Sequence, residues 1–169
     1  MLARLRRQAP ARWTARFCEE RENLRRIIHG VDDARASRRV RIARPRGLEE
    51  SSCEWSAWMT FDHLRIVHEG LAGIIRSLSA AEDPGIVVRI EDVKPPPGAT
   101  REAFVAFEHS CDALLAVAEA AWAAGAASRG GRRHPHPWFG PIDAGTWFCL
   151  AATHLGLHRE QIRRILAAG

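Results

Sequence analysis

The chain has no tyrosine, only two methionines and a single lysine, Lys94, so 24 of its 25 basic residues are arginine. A bias that uniform can come from genomic base composition, and no single arginine is read as a recognition device on that ground. Cysteine is sparse: Cys18, Cys53, Cys111 and Cys149 lie far apart with no CxxC pair. That excludes the usual thiolate zinc site and leaves reduced, mostly buried thiols as the expectation. No apolar run approaches the length of a membrane span. The start, Met1 to Arg7, has charge but no apolar stretch behind it, so no signal peptide is expected and the cytoplasm is the expected compartment.

A large excess of one charge is missing from most of the chain. Residues 1–50 carry 14 arginines and 7 acids, whereas 51–169 carry 11 basic residues and 13 acids. The excess gathers in the connector from Arg35 to Arg46. Nucleic-acid binding needs a basic face together with a recognisable module or interleaved aromatics. Neither companion is present, so the arginines are expected to form a solvated surface opposed by nearby acids.

What is there is helical patterning in a chain of 169 residues with 46% apolar content, long enough to bury a core unaided. Four stretches have helical length. Pro10 to Ile28 places Trp13, Phe17, Leu24, Ile27 and Ile28 near one face and stops at Gly30. A second helix is expected from Ser51 or Ser52, with Ser51 and Glu54 at capping-box spacing, to about Leu78. The third runs from Thr100 to about Ala124 with Phe104, Phe107, Cys111, Leu114, Leu115 and Ala118 as its stripe. The fourth opens at Asp143, a good N-cap, and ends near Leu166. Segments 38–44 and 86–93 are candidates for short extended pieces. Residues 128–141, rich in Gly, Arg, His and Pro, are expected to be irregular. The fold class is all-α: a four-helix bundle with long connections, one domain over residues 1–169 with its core over 10–168. The aromatic face of the first helix is a candidate homodimer surface.

The chemistry lies in histidines. His154 and His158 are four apart, so they stack one turn apart on one helix face. His63 shares a stripe with Met59, Gly70 and Ile74 and should also point inward. Three neutral imidazoles from two helices could bind a divalent ion at about 2.0–2.1 Å and leave positions open for solvent or substrate. Alternatively, each is a core histidine satisfied by hydrogen bonds. His68 is expected nearer the helix side. Asp62 is read as a surface carboxylate, Gln161 as a residue that could line the cavity, and Trp55, Trp58 and Trp147 as core. His134 and His136 are weaker competitors for the ion, being separated by Pro135. Arg129, Arg132 and Arg133 could pair with carboxylates of an anionic ligand.

Three segments resemble the DinB-like superfamily of metalloenzymes: Trp58 to Leu71, His136 to Asp143, and Trp147 to Ile162. The resemblance lies in His63-Leu64 of the second helix and in His154 and His158 of the last, which runs on as His158-Arg159-Glu160-Gln161-Ile162. It implies that His63, His154 and His158 are the metal ligands, with zinc or nickel as the expected ion. It further implies metal-dependent S-transfer or isomerisation using a low-molecular-weight thiol such as bacillithiol, mycothiol or glutathione. In that reading no protein cysteine has to be the nucleophile, and Cys149 lies about 140° around the helix from His154. A small-molecule ligand is the expected partner, and the alternative is a non-catalytic metal-containing module.

Overall fold

The computed structural model describes residues 10–125 and 131–168; Arg129 lies outside them. Of the described residues, 66% are helical. Helix α1 spans Pro10–Ile28, the short α2 Asp33–Ser37, α3 Ala57–Ser79, α4 Glu102–Ala123 and α5 Ala144–Ala168. A two-stranded antiparallel hairpin, β1 (Arg133–His136) and β2 (Gly140–Asp143), precedes α5.

The four long helices close around one core. Helix α3 packs against both α4 and α5, and α1 packs against α5. Trp13, Phe17, Leu24 and Ile28 of α1 are all buried, so the aromatic face considered for a dimer is used within the chain. Phe61, Leu64, Leu71, Ile75 and Leu78 of α3 meet Phe107, Cys111 and Leu114 of α4 and Phe148, Leu155 and Ile162 of α5. Burying each large apolar side chain contributes about 1.5–3 kcal/mol over leaving it exposed. The narrow α1–α4 seam is closed by charge. Arg21 Nη1 pairs with Asp112 at 2.5 Å, its Nε–H donates to Glu108 at 3.0 Å, and Arg25 meets the same Glu108 carboxylate.

Helix ends follow local chemistry, with two departures from the sequence reading. Gly30 (φ +74°) turns the chain just past α1, as a left-handed residue after a helix does. The Asp143 side chain accepts from the Thr146 N–H at 2.8 Å and so caps α5. Helix α3, however, does not start at Ser51 or Ser52. Residues Glu50–Glu54 form a separate 3₁₀ turn, Trp55 is extended, and Ser56 caps α3 by accepting from the Met59 N–H at 3.2 Å.

The second departure is the location of extended structure. Segments 38–44 and 86–93 form no strands among the described residues; the latter ends in a 3₁₀ turn over Glu91–Val93. Each has helices as neighbours and no second strand to complete a ladder. The segment expected to be irregular supplies the hairpin instead, with His134 opposite Ile142 and Pro135 opposite Pro141. Both strands are edges, and there proline's missing N–H can face outward at no cost to the pairing. Gly140 (φ +64°) provides the left-handed position that follows the Pro137-Trp138-Phe139 turn.

The Arg-rich connector lies against the body of the protein. Arg41 pairs with Glu54 at 2.7 Å, Arg44 reaches Glu50 at 3.5 Å, and Arg35 donates to the Leu166 carbonyl at 2.6 Å. No helix among the described residues is long and apolar enough to cross a membrane.

Candidate metal centre

Helices α3 and α5 bring His63, His154 and His158 together. The Nε2 atom of His154 lies 3.2 Å from Nε2 of His63 and 2.9 Å from Nε2 of His158. Among the described residues these three form the group of His, Cys, Asp or Glu atoms close enough to hold one ion. The pairs His63–His158 and His154–His158 have ring centroids 4.6 and 4.2 Å apart.

Two of the rings are fixed from behind. His63 Nδ1–H donates to the Val93 carbonyl at 2.6 Å, which can only accept. His158 Nδ1–H donates to Gln161 Oε1 at 2.6 Å, while the Gln161 amide nitrogen donates to the Ser52 carbonyl at 2.7 Å. That second bond sets which end of the amide faces His158. In both neutral rings the proton therefore sits on Nδ1, and the Nε2 lone pairs of His63 and His158 face His154 Nε2. A single N–H on His154 could satisfy at most one of them. A cation accepts all three.

The spacing agrees with that reading. Nitrogens held about 2.0–2.1 Å from one ion lie about 2.9 Å apart at a right angle and about 3.3 Å apart at the tetrahedral angle. The observed 2.9 and 3.2 Å fall in this range. Hydrogen-bonded Nδ1–H groups behind the ligating nitrogens are the usual support of a histidine metal site. Burial holds all three imidazoles below the ordinary histidine range, and mutual repulsion lowers His154 and His158 further. Neutral imidazole is the form that ligates. The residues present fit a divalent ion.

Trp55 closes one side. Its ring lies 5.0 Å from that of His63 and stacks nearly parallel to His158 at 6.5 Å. It is buried, as expected, but against the histidines. Asp62 is not at the surface; it is buried and paired with Arg65 at 2.7 Å. Gly70, expected on the inward stripe, is exposed. His68, expected at the helix side, is fully buried on the stripe of Leu64, Leu71 and Ile75. Its Nδ1–H donates to Ser110 Oγ at 3.2 Å, since the Ser110 hydroxyl is already donated to the Phe107 carbonyl.

His134 and His136 stand on β1, outside the three-nitrogen group. Arg132 and Arg133 are exposed there. Cys149 is likewise outside the group, and burial pushes its thiol up to about 12, so it stays protonated at neutral pH. The Ser52 and Val93 carbonyls escape sequence reasoning because any residue at those positions offers the same oxygen.

A bundle of long helices carrying three inward histidines on two of them defines a class of helical proteins able to hold a metal ion. The model of the DinB superfamily matches residues 16–162, and the chain belongs to that family. No curated protein and no solved structure gives a significant match.

Proposed function

We propose that His63, His154 and His158 hold one divalent ion, zinc or nickel, and that the protein is a metal-dependent transferase using a low-molecular-weight thiol. The observation that carries the metal reading is the pair of Nε2 lone pairs, each fixed by a hydrogen bond behind its ring, directed at a third imidazole nitrogen. Membership of the DinB superfamily supports it. When bound, the ion supplies a Lewis-acid site that favours the thiolate form of a sulfur ligand.

The protein's own part is orientation and exclusion of water. Val93 and Gln161 keep two rings in the ligating tautomer, and Trp55 shields them. His154 is only partly buried, which leaves an approach on its side for a small ligand. No fourth protein donor joins the group among the described residues, and three ligands with an open position are the pattern of catalytic sites. Burial raises the thiols of Cys53, Cys111 and Cys149, and no cysteine joins the three-histidine group, so this reading assigns the nucleophile to an exogenous thiol.

The test is metal analysis of protein purified without a histidine tag, followed by cobalt substitution and titration with a small thiol. One ion per chain and a thiol-dependent change in the cobalt spectrum are expected. A cobalt site that no thiol perturbs would remove the transferase reading and leave a metal-containing module.

A further inference from the structure

His136 stands outside the three-histidine group, yet the fold ties it to that centre. Its ring centroid is 4.9 Å from that of Trp147, which precedes His154 by two helical turns on the same face of α5. Strand β1, which carries His136, packs against α3, the helix of His63.

The hydrogen bonding of this ring is half used. The Trp138 backbone N–H donates to His136 Nδ1 at 3.1 Å, so the neutral ring carries its proton on Nε2. That N–H has no acceptor among the described residues. Two more polar atoms lie unpartnered behind it: Trp147 Nε1–H and His134 Nε2, on side chains only 2% and 5% exposed. Buried polar atoms are seldom left without partners. The His134 and His136 rings both lie against Trp147, at 6.2 and 4.9 Å, so these unpartnered atoms belong to one neighbourhood, which suits a polar ligand atom. Phe139, 4.7 Å from the His136 ring, and the exposed Trp138 give the same place an apolar wall.

The geometry points to a second ligand contact beside the three-histidine centre: His136 Nε2–H donates to a carboxylate or carbonyl oxygen of a small thiol whose sulfur end reaches that centre. The inference rests on the thiol reading above and narrows it to thiols bearing an oxygen acceptor. His136 is a binding residue here. Its donor is a neutral N–H, so the contact is a directed hydrogen bond and needs no charge on the ring.

The experiment uses the full chain loaded with cobalt(II) and follows its absorption during titration with 3-mercaptopropionate or 1-propanethiol, which differ in the carboxylate. The native protein, His136→Phe and His136→Gln are compared. The Phe variant is expected to lose about tenfold in affinity for 3-mercaptopropionate, the size of one directed hydrogen bond. Its affinity for 1-propanethiol should stay within about twofold on the same scale. The Gln variant, which keeps an N–H donor, should recover part of the loss, and cobalt retention should match in all three. Equal losses for both thiols, or unchanged discrimination in the Phe variant, would overturn the contact while leaving the thiol reading intact. A native protein that holds cobalt but binds neither thiol would overturn both, and one that takes up no cobalt would overturn the metal site itself.

Discussion

Gln161 fixes His158: its side-chain oxygen accepts the His158 Nδ1 proton at 2.6 Å while its amide nitrogen donates to the Ser52 carbonyl at 2.7 Å. One buried amide thus ties a ring of the three-histidine centre to the 3₁₀ turn ahead of α3. Replacing it with leucine would leave the His158 donor and the Ser52 carbonyl unpaired. Gln161→Leu should therefore weaken metal affinity about 10–100-fold and cost about 1–3 kcal/mol of stability. Competition with a chelating dye and urea unfolding would read the two effects separately. Unchanged metal affinity would show that the ring is held by other means.

His154→Ala and His158→Ala should each strip most of the metal while leaving the bundle folded, because the large core side chains lie elsewhere. Metal content after dialysis, beside the far-ultraviolet dichroism of the same samples, checks this. Full retention of the ion in the double variant would remove the ligand assignment.

The acid sensitivity of folding should report on His68. Burial pushes its imidazole down to about 3 from the usual 6.5, so the folded protein refuses a proton that the unfolded chain accepts. Its contribution is fully present above the unfolded value and is lost as pH falls from about 6.5 towards 3, at up to about 1.4 kcal/mol per pH unit. His68→Leu should remove about one proton's worth of slope between pH 6 and 4. Parallel stability curves for variant and native protein would show that His68 takes up its proton without unfolding.

Leu114, fully buried between the helices, should cost about 2–5 kcal/mol on replacement by alanine. Arg39, whose guanidinium only touches the Glu54 carbonyl at an exposed site, should cost less than about 0.5 kcal/mol. Chemical denaturation of both variants makes the comparison. Similar losses would mean that Arg39 contributes more than its one exposed contact accounts for.

The four long helices were legible because their apolar residues recur at helical spacing over many turns, from Trp13 to Ile28 and from Phe107 to Ala118. The convergence of His63, His154 and His158 was legible for a related reason: two of them share a helix face, and the third lies in an apolar helix that has to face the core. His68 was misjudged because the stripe of α3 is wider than the one that passes through His63. Its outer edge holds Leu64, His68, Leu71 and Ile75, and Gly70 falls outside it. The hairpin was hidden by its prolines, which argue against strands except where both strands are edges. The carbonyls of Ser52 and Val93 leave no mark in side-chain identity at all.

Asp143 ends β2 opposite Arg133, and its carboxylate caps α5. Not one residue of slack separates strand from helix. The hairpin, with His136, Trp138 and Phe139 toward its tip, is thus joined directly to the helix that carries His154 and His158. The third histidine is held from another part of the chain. There His63 is anchored to the Val93 carbonyl on the long 80–101 connection, a stretch whose only regular structure is one short turn and whose displacement would release the ring from behind.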